Sequence, residues 1–169
     1  MSVSMYQATI PVFVRGLRVA ASLLQKAQAH VEEGGIVPEI LLGAQLAPDM
    51  LDLKSQVQRL SDTSKLSVAR LSDLPAPKFE DNETSFEQLQ QRLADTIAWI
   101  DGVNAGQMAG SAQRQIVLNW TDEGKTFNGD DYLLTFALPN FYFHLSMIHA
   151  ILRNTGVVVG KMDFLGAYD

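Results

Sequence analysis

The sequence has no cysteine. That excludes disulfides, thiolate zinc sites, iron–sulfur clusters and thiol nucleophiles. Histidine is scarce: His30, His144 and His149 are the only three. No two of them are three or four residues apart, so neither an HExxH motif nor another closely spaced helical pair is present. There is no GxSxG nucleophile elbow. Gly156-Val-Val-Val-Gly160 has no preceding strand to make it a nucleotide fingerprint. Basic residues are not in excess, since 13 Lys+Arg stand against 19 Asp+Glu for a formal charge of −6. Without a basic cluster, nucleic acid is not an expected partner. No stretch reaches the roughly 18 uncharged apolar residues that a spanning helix needs. Arg15 and Arg18 interrupt the apolar N-terminal stretch, which is the wrong charge order for a secretion signal. These absences predict a soluble cytoplasmic protein with no membrane partner. Internal repeats and low-complexity segments are also missing.

What is present fits a packed globule. The 169 residues are 47% hydrophobic and 19% charged, which suits one domain over residues 1–169. Ile10, Phe13, Val14, Leu17, Ala20, Ala21, Leu24, Ala27 and Val31 recur every three or four residues and predict a first helix, ended by Gly34-Gly35. Pro11 is placed in its first turns, where a missing donor costs little. A second helix is expected from about Pro48, with Asp49 and Asp52 at its positive end and Met50, Leu53, Val57, Leu60 and Leu71 inward. After the Pro-rich loop SDLPAPKFEDNE, Thr84-Ser-Phe-Glu87 reads as a capping box for a third helix carrying Leu89, Leu93, Ile97 and Ile100. Gln115–Trp120 and Lys125–Phe127 read as a small hairpin about the turn Thr121–Gly124. A fourth helix follows from about Asp130 to Thr155, interrupted or kinked by Pro139. The expected fold is all-α, an up-and-down four-helix bundle with a small β-hairpin between helices 3 and 4.

The two histidines of the last helix are not a pair. His144 and His149 are five residues apart, about 140° around a helix, whereas Asn140 and His144 are four apart and share a face. The residues alone leave His144 as a hydrogen-bonded histidine inside the bundle and His149 and His30 as surface residues or helix C-terminal cations. Asp122-Glu123 and Asp130-Asp131 are read as solvated carboxylates. Asp163 and Lys161 are read as ordering the tail through a salt bridge, and Val157, Val158, Val159, Phe164 and Leu165 as folding back on the bundle. Phe136, Phe141, Tyr142 and Phe143 are expected in the core, with the Tyr142 hydroxyl near a cavity.

Four segments together, Leu46–Met50, Pro139–His144, Ala150–Gly156 and Gly160–Gly166, resemble an uncharacterised bacterial family of the DinB/YfiT-like superfamily. The resemblance covers nearly the whole chain. It implies a DinB-like bundle, often a homodimer, in a superfamily whose typical members hold a divalent metal with three histidines. One of these opens the second helix and two form HxxxH on the last, followed by Leu-Arg and Gly. Counting back from Leu152-Arg153 places His144 on the second histidine of that motif and Asn140 on the first, with Asp49 near the helix-two ligand. The implied metal set is therefore His144, Asn140 and Asp49, with Tyr142 added for a small ligand. One imidazole, one carboxamide and one carboxylate make a poor zinc or nickel site, so the set predicts a weakly bound divalent ion or none. Two functions follow from the resemblance. One is a dimeric small-ligand-binding or stress-associated module with a degenerate metal site. The other is a divalent-metal-dependent thiol transferase, isomerase or hydrolase using His144.

Overall fold

The structure is a computed structural model that describes residues 2–119 and 124–167. Four long helices form the bundle: α1 (Met5–Glu32), α3 (Leu53–Ser72), α4 (Phe86–Asp101) and α6 (Leu138–Asn154). Short helices α2 (Pro38–Leu42), α5 (Gly129–Tyr132) and α7 (Lys161–Leu165) lie in the connections and tail. Strands β1 (Gln115–Leu118) and β2 (Lys125–Asn128) pair antiparallel, with Gln115 opposite Asn128. The hairpin is thus where the sequence predicts it; its turn residues Thr121, Asp122 and Glu123, with Trp120, lie outside the described residues. No helix among the described residues is long and apolar enough to cross a membrane.

Helix starts follow capping chemistry, with shifts from the sequence expectation. Ser4 caps α1 in a box with Gln7: the Gln7 N–H donates to Ser4 Oγ (3.2 Å), and the Ser4 N–H donates to Gln7 Oε1 (3.0 Å). Pro11 therefore falls inside α1 rather than in its first turn. Both Pro11 and Gln7 are exposed, so the carbonyl that Pro11 leaves unpaired faces solvent. Helix α3 begins at Leu53, not near Pro48, because Asp52 is the residue whose carboxylate accepts the orphan N–H of Ser55 at 2.8 Å. The cap before α4 is one residue later than expected, and the expected box does not close. Ser85 accepts from the Gln88 N–H (3.3 Å), and Gln88 reaches back to the Thr84 N–H (2.6 Å). Glu87 instead accepts from Gln28 on α1 (2.9 Å).

Around the bundle, α1 packs on α4 and α6, and α3 packs on the same two. The threading is not a simple alternation. Gln28 meets Glu87 and Gln90 meets the Ala21 carbonyl, so α1 and α4 are antiparallel. Gln56 meets His144 and Thr63 meets Asn140, so α3 and α6 are antiparallel too. Phe13 packs edge-on against Phe141 (centroids 4.8 Å), and Gly16 faces Phe141 and Leu145, so α1 and α6 run parallel. A Cβ on Gly16 would overlap the Phe141 ring, which explains glycine on this buried helix face. The four helices run up, down, down, up.

Two parallel neighbours need a long return, and the loop between α3 and α4 supplies it. It runs back along α3, placing Phe79 against Lys65, Asp81 against Arg59 and Glu83 against Gln58. A charged clamp holds it there. Arg92 of α4, 3% exposed, reaches Asp62 (2.8 Å), Asp81 (2.9 Å) and Glu83 (2.8 Å). Lys65 pairs with Asp62 at 2.7 Å, and its ammonium and the Arg92 guanidinium both lie over the Phe79 ring. Burial pushes the Glu83 carboxyl up, but hydrogen bonds from Arg92 and Gln58 outweigh it and hold the group below its usual range.

The last helical stretch is continuous but uneven. Between α5 and α6, Leu133–Ala137 form a π turn, and the Leu138 N–H reaches the Leu133 carbonyl five residues back. The wide turn lies just before Pro139, which cannot donate to the helix and would crowd the carbonyl four residues earlier. After α6, Val157 and Val159 are buried and α7 packs on α1, while Val158, expected to fold back with them, alternates outward and is exposed. Asp163 pairs with Lys26 (2.6 Å), not with Lys161, and the Arg15 guanidinium donates to the Leu165 and Ala167 carbonyls.

Candidate functional site

The α3/α6 face is a line of polar contacts in an otherwise apolar core. At one end the Tyr132 hydroxyl, fully buried, meets Ser67 Oγ (3.0 Å) and accepts from Arg70 (3.0 Å). In the middle, Asn140 Nδ2 donates to Thr63 Oγ1 at 3.0 Å. At the other end His144 Nδ1 lies 2.7 Å from Gln56 Oε1. The antiparallel course of the two helices makes these three rungs of one ladder.

His144 is 8% exposed, and its other nitrogen, Nε2, has no protein partner among the described residues. Burial pushes its pKa down to about 4, and the Arg59 guanidinium adds to the shift, so the ring is neutral at pH 7. Arg59 itself pairs with Asp62 and Asp81 and so belongs to the charged clamp as well.

The structure brings together two of the four residues singled out in the sequence. Asn140 and His144 share the face of α6 that meets α3. Asp49 does not join them: it lies in an exposed turn before α3, and Gln56, buried in the first turn of that helix, takes the place opposite His144. Tyr142 projects from the other side of α6. It is 42% exposed, with its ring edge-on to Phe141, and Phe143 beside it is 50% exposed, so neither joins the core. The signal that could have found Gln56 is positional, because it follows Leu53 by three and precedes Leu60 by four, on the apolar stripe. His149 is tied elsewhere, with Nε2 3.1 Å from the Gly160 carbonyl and its ring edge-on to Phe164.

The donor set does not fit a tightly held divalent ion. The seam offers one imidazole nitrogen and two carboxamides. The Gln56 oxygen is already engaged by His144, and the charge of Arg59 acting on the ring is positive. No group of three His, Asp or Glu able to hold a metal occurs among the described residues. A separate groove of about 790 Å³ lies between α1 and α7, lined by Val14, Arg15, Arg18, Asp101 and Met162 among others. It includes none of the seam residues.

Fold and seam together define the class: a helical bundle with a line of polar contacts between its second and fourth long helices. The chain belongs to the family described as a domain of unknown function, DUF1993, which matches residues 5–165. It is similar to a DinB family member protein from Shewanella denitrificans known from its crystal structure. The two are 36% identical over 97% of this chain and 93% of that one, with a TM-score of 0.92. No curated protein matches.

Proposed function

We propose that this chain is a DinB-like binding module of one domain, in which the α3/α6 seam takes a small uncharged molecule through hydrogen bonds. The supporting observation is the donor set itself. His144 is neutral, Gln56 and Asn140 are amides, and no carboxylate contacts either His144 or Asn140 among the described residues. In this reading the protein is a cytoplasmic homodimer, and the adjacent exposed rings of Tyr142 and Phe143 on the outer face of α6 favour an interface there. Metal analysis of untagged protein tests the site: substoichiometric zinc, nickel and manganese, with a melting curve unmoved by adding them, is expected. Light scattering during gel filtration tests the dimer, and a mass of 18.6 kDa at every concentration sinks it.

A second reading keeps a divalent-metal-dependent enzyme that uses His144. It is favoured by one feature: Nε2 of this histidine carries no protein partner while Nδ1 is held by another side chain, as in many metal-binding histidines. Near-stoichiometric ion in the untagged protein, lost in His144→Ala, would establish this reading over the first.

A further inference from the structure

Gln56 does more than fill space opposite His144. Its amide nitrogen points to the Leu51 carbonyl at 3.4 Å, while its oxygen lies 2.7 Å from His144 Nδ1. The opposite amide orientation would set Gln56 Oε1 against the Leu51 carbonyl, two acceptors facing each other. The Leu51 carbonyl therefore selects the amide orientation, and the amide oxygen selects the ring's proton, because Nδ1 must carry hydrogen to donate to it. In a neutral ring with Nδ1–H, Nε2 is left as a lone pair.

We infer that Gln56 is a positioning residue that locks His144 as the Nδ1–H tautomer, so that the seam presents a fixed acceptor and selects ligands that bring a hydrogen-bond donor. With its Nδ2 on the Thr63 hydroxyl, Asn140 leaves Oδ1 without a partner among the described residues, one turn away on the same face; a hydroxyl takes either role, so this amide is not locked as Gln56 is. The ligand class is a hydroxyl or an uncharged N–H. An anion such as a carboxylate would set lone pair against lone pair, and a cation would meet the field of Arg59. This ligand class rests on the binding-module reading; the tautomer lock does not.

The experiment is a long-range proton–nitrogen correlation spectrum of the imidazoles in the full-length, nitrogen-15-labelled protein near pH 7.5. A protonated Nδ1 and a lone-pair Nε2 at His144 are expected. A protonated Nε2, or an average of the two forms, overturns the lock, and this readout needs no variant to fold. Gln56→Glu should preserve Nδ1–H, since a carboxylate also accepts it, whereas Gln56→Met should release the ring to Nε2–H or to averaging. An unchanged tautomer in a folded Gln56→Met protein removes Gln56 from the role. Acetamide, acetate and zinc are then titrated against the His144 Nε2 resonance. A saturable shift with acetamide and none with acetate supports the donor class. Saturation by one equivalent of zinc overturns it in favour of a metal. No response to acetamide overturns the ligand class and the binding reading beneath it while the lock stands.

Discussion

Helix α3 meets α4 and the returning loop mainly with full charges, and meets the α6 side mainly with amides, hydroxyls and a neutral imidazole, Arg70 at the Tyr132 end being the exception. On the first side, Asp62, Asp81 and Glu83 surround Arg92, and Lys65 and Arg59 join them. On the second, Gln56, Thr63 and Ser67 face His144, Asn140 and Tyr132. The two sides spend their polar groups differently. Three cations meet three anions in the clamp, and the pairs to Asp81 and Glu83 hold the loop that makes two parallel helices neighbours. The seam has unspent acceptors, at His144 Nε2 and Asn140 Oδ1. Its contacts position groups without using them up, which is what a binding site requires.

The comparison breaks most sharply at Arg92. Arg92→Ala leaves the buried Glu83 carboxylate without its cation, while Asp62 keeps Lys65 and Arg59 and Asp81 keeps Arg59; it should cost about 3 kcal/mol, read as a large fall in the urea midpoint. A loss below about 1 kcal/mol would mean that the clamp is decoration. Acid comes next. The folded-state pKa of His144 lies near 4, below its unfolded value of about 6.5. Between those values the unfolded chain binds a proton that the folded one refuses, so this contribution is complete above about pH 6.5 and fades as pH falls toward 4. Allowing for solvent screening, about 1–2 kcal/mol should be lost across that window, and His144→Gln should flatten it in pH-dependent denaturation. Glu83, held low, contributes fully above the ordinary carboxylate pKa and loses that contribution progressively as pH falls through that value toward its lower folded one. The clamp and the seam should therefore fail at different pH.

Smaller effects sharpen the contrast. Asn140→Ala removes one neutral hydrogen bond to Thr63 and should cost about 0.5–1.5 kcal/mol, well short of Arg92→Ala in the same denaturation series. Arg59→Gln should change stability least, within about 1 kcal/mol, because its ion pairs are partly exposed. It is the one substitution expected to register on both sides. The His144 pKa, followed by NMR titration, should rise only modestly, since burial rather than Arg59 is the main cause of its shift.

The helical stripes, the hairpin and the return of the tail were legible because each rests on local periodicity or turn chemistry. The up-down-down-up threading was not. It depends on which charges meet across the loop between α3 and α4, and Arg92 beside Leu93 reads in sequence as a surface residue. The site was legible in halves. Asn140 and His144 could be paired from spacing within one helix. Their partner could not, because facing positions on α3 depend on where that helix begins, and Asp52 rather than Pro48 sets its start. Asp49 was thus assigned across the bundle to a place that Gln56 occupies.

The π turn at Leu133–Ala137 acts as a phase correction. In an unbroken α-helix Tyr132 would point about 80° away from Asn140 and about 120° away from His144. One extra residue in a wide turn removes about 100° from both offsets and leaves each near 20°. All three side chains then reach the same neighbour. A one-residue deletion here, for example at exposed Leu134, would let the stretch wind as a plain α-helix and keep Tyr132 and His144 on the α3 face, whereas an added residue would turn Tyr132 away from Ser67. The ladder is in register because the wide turn absorbs one extra residue.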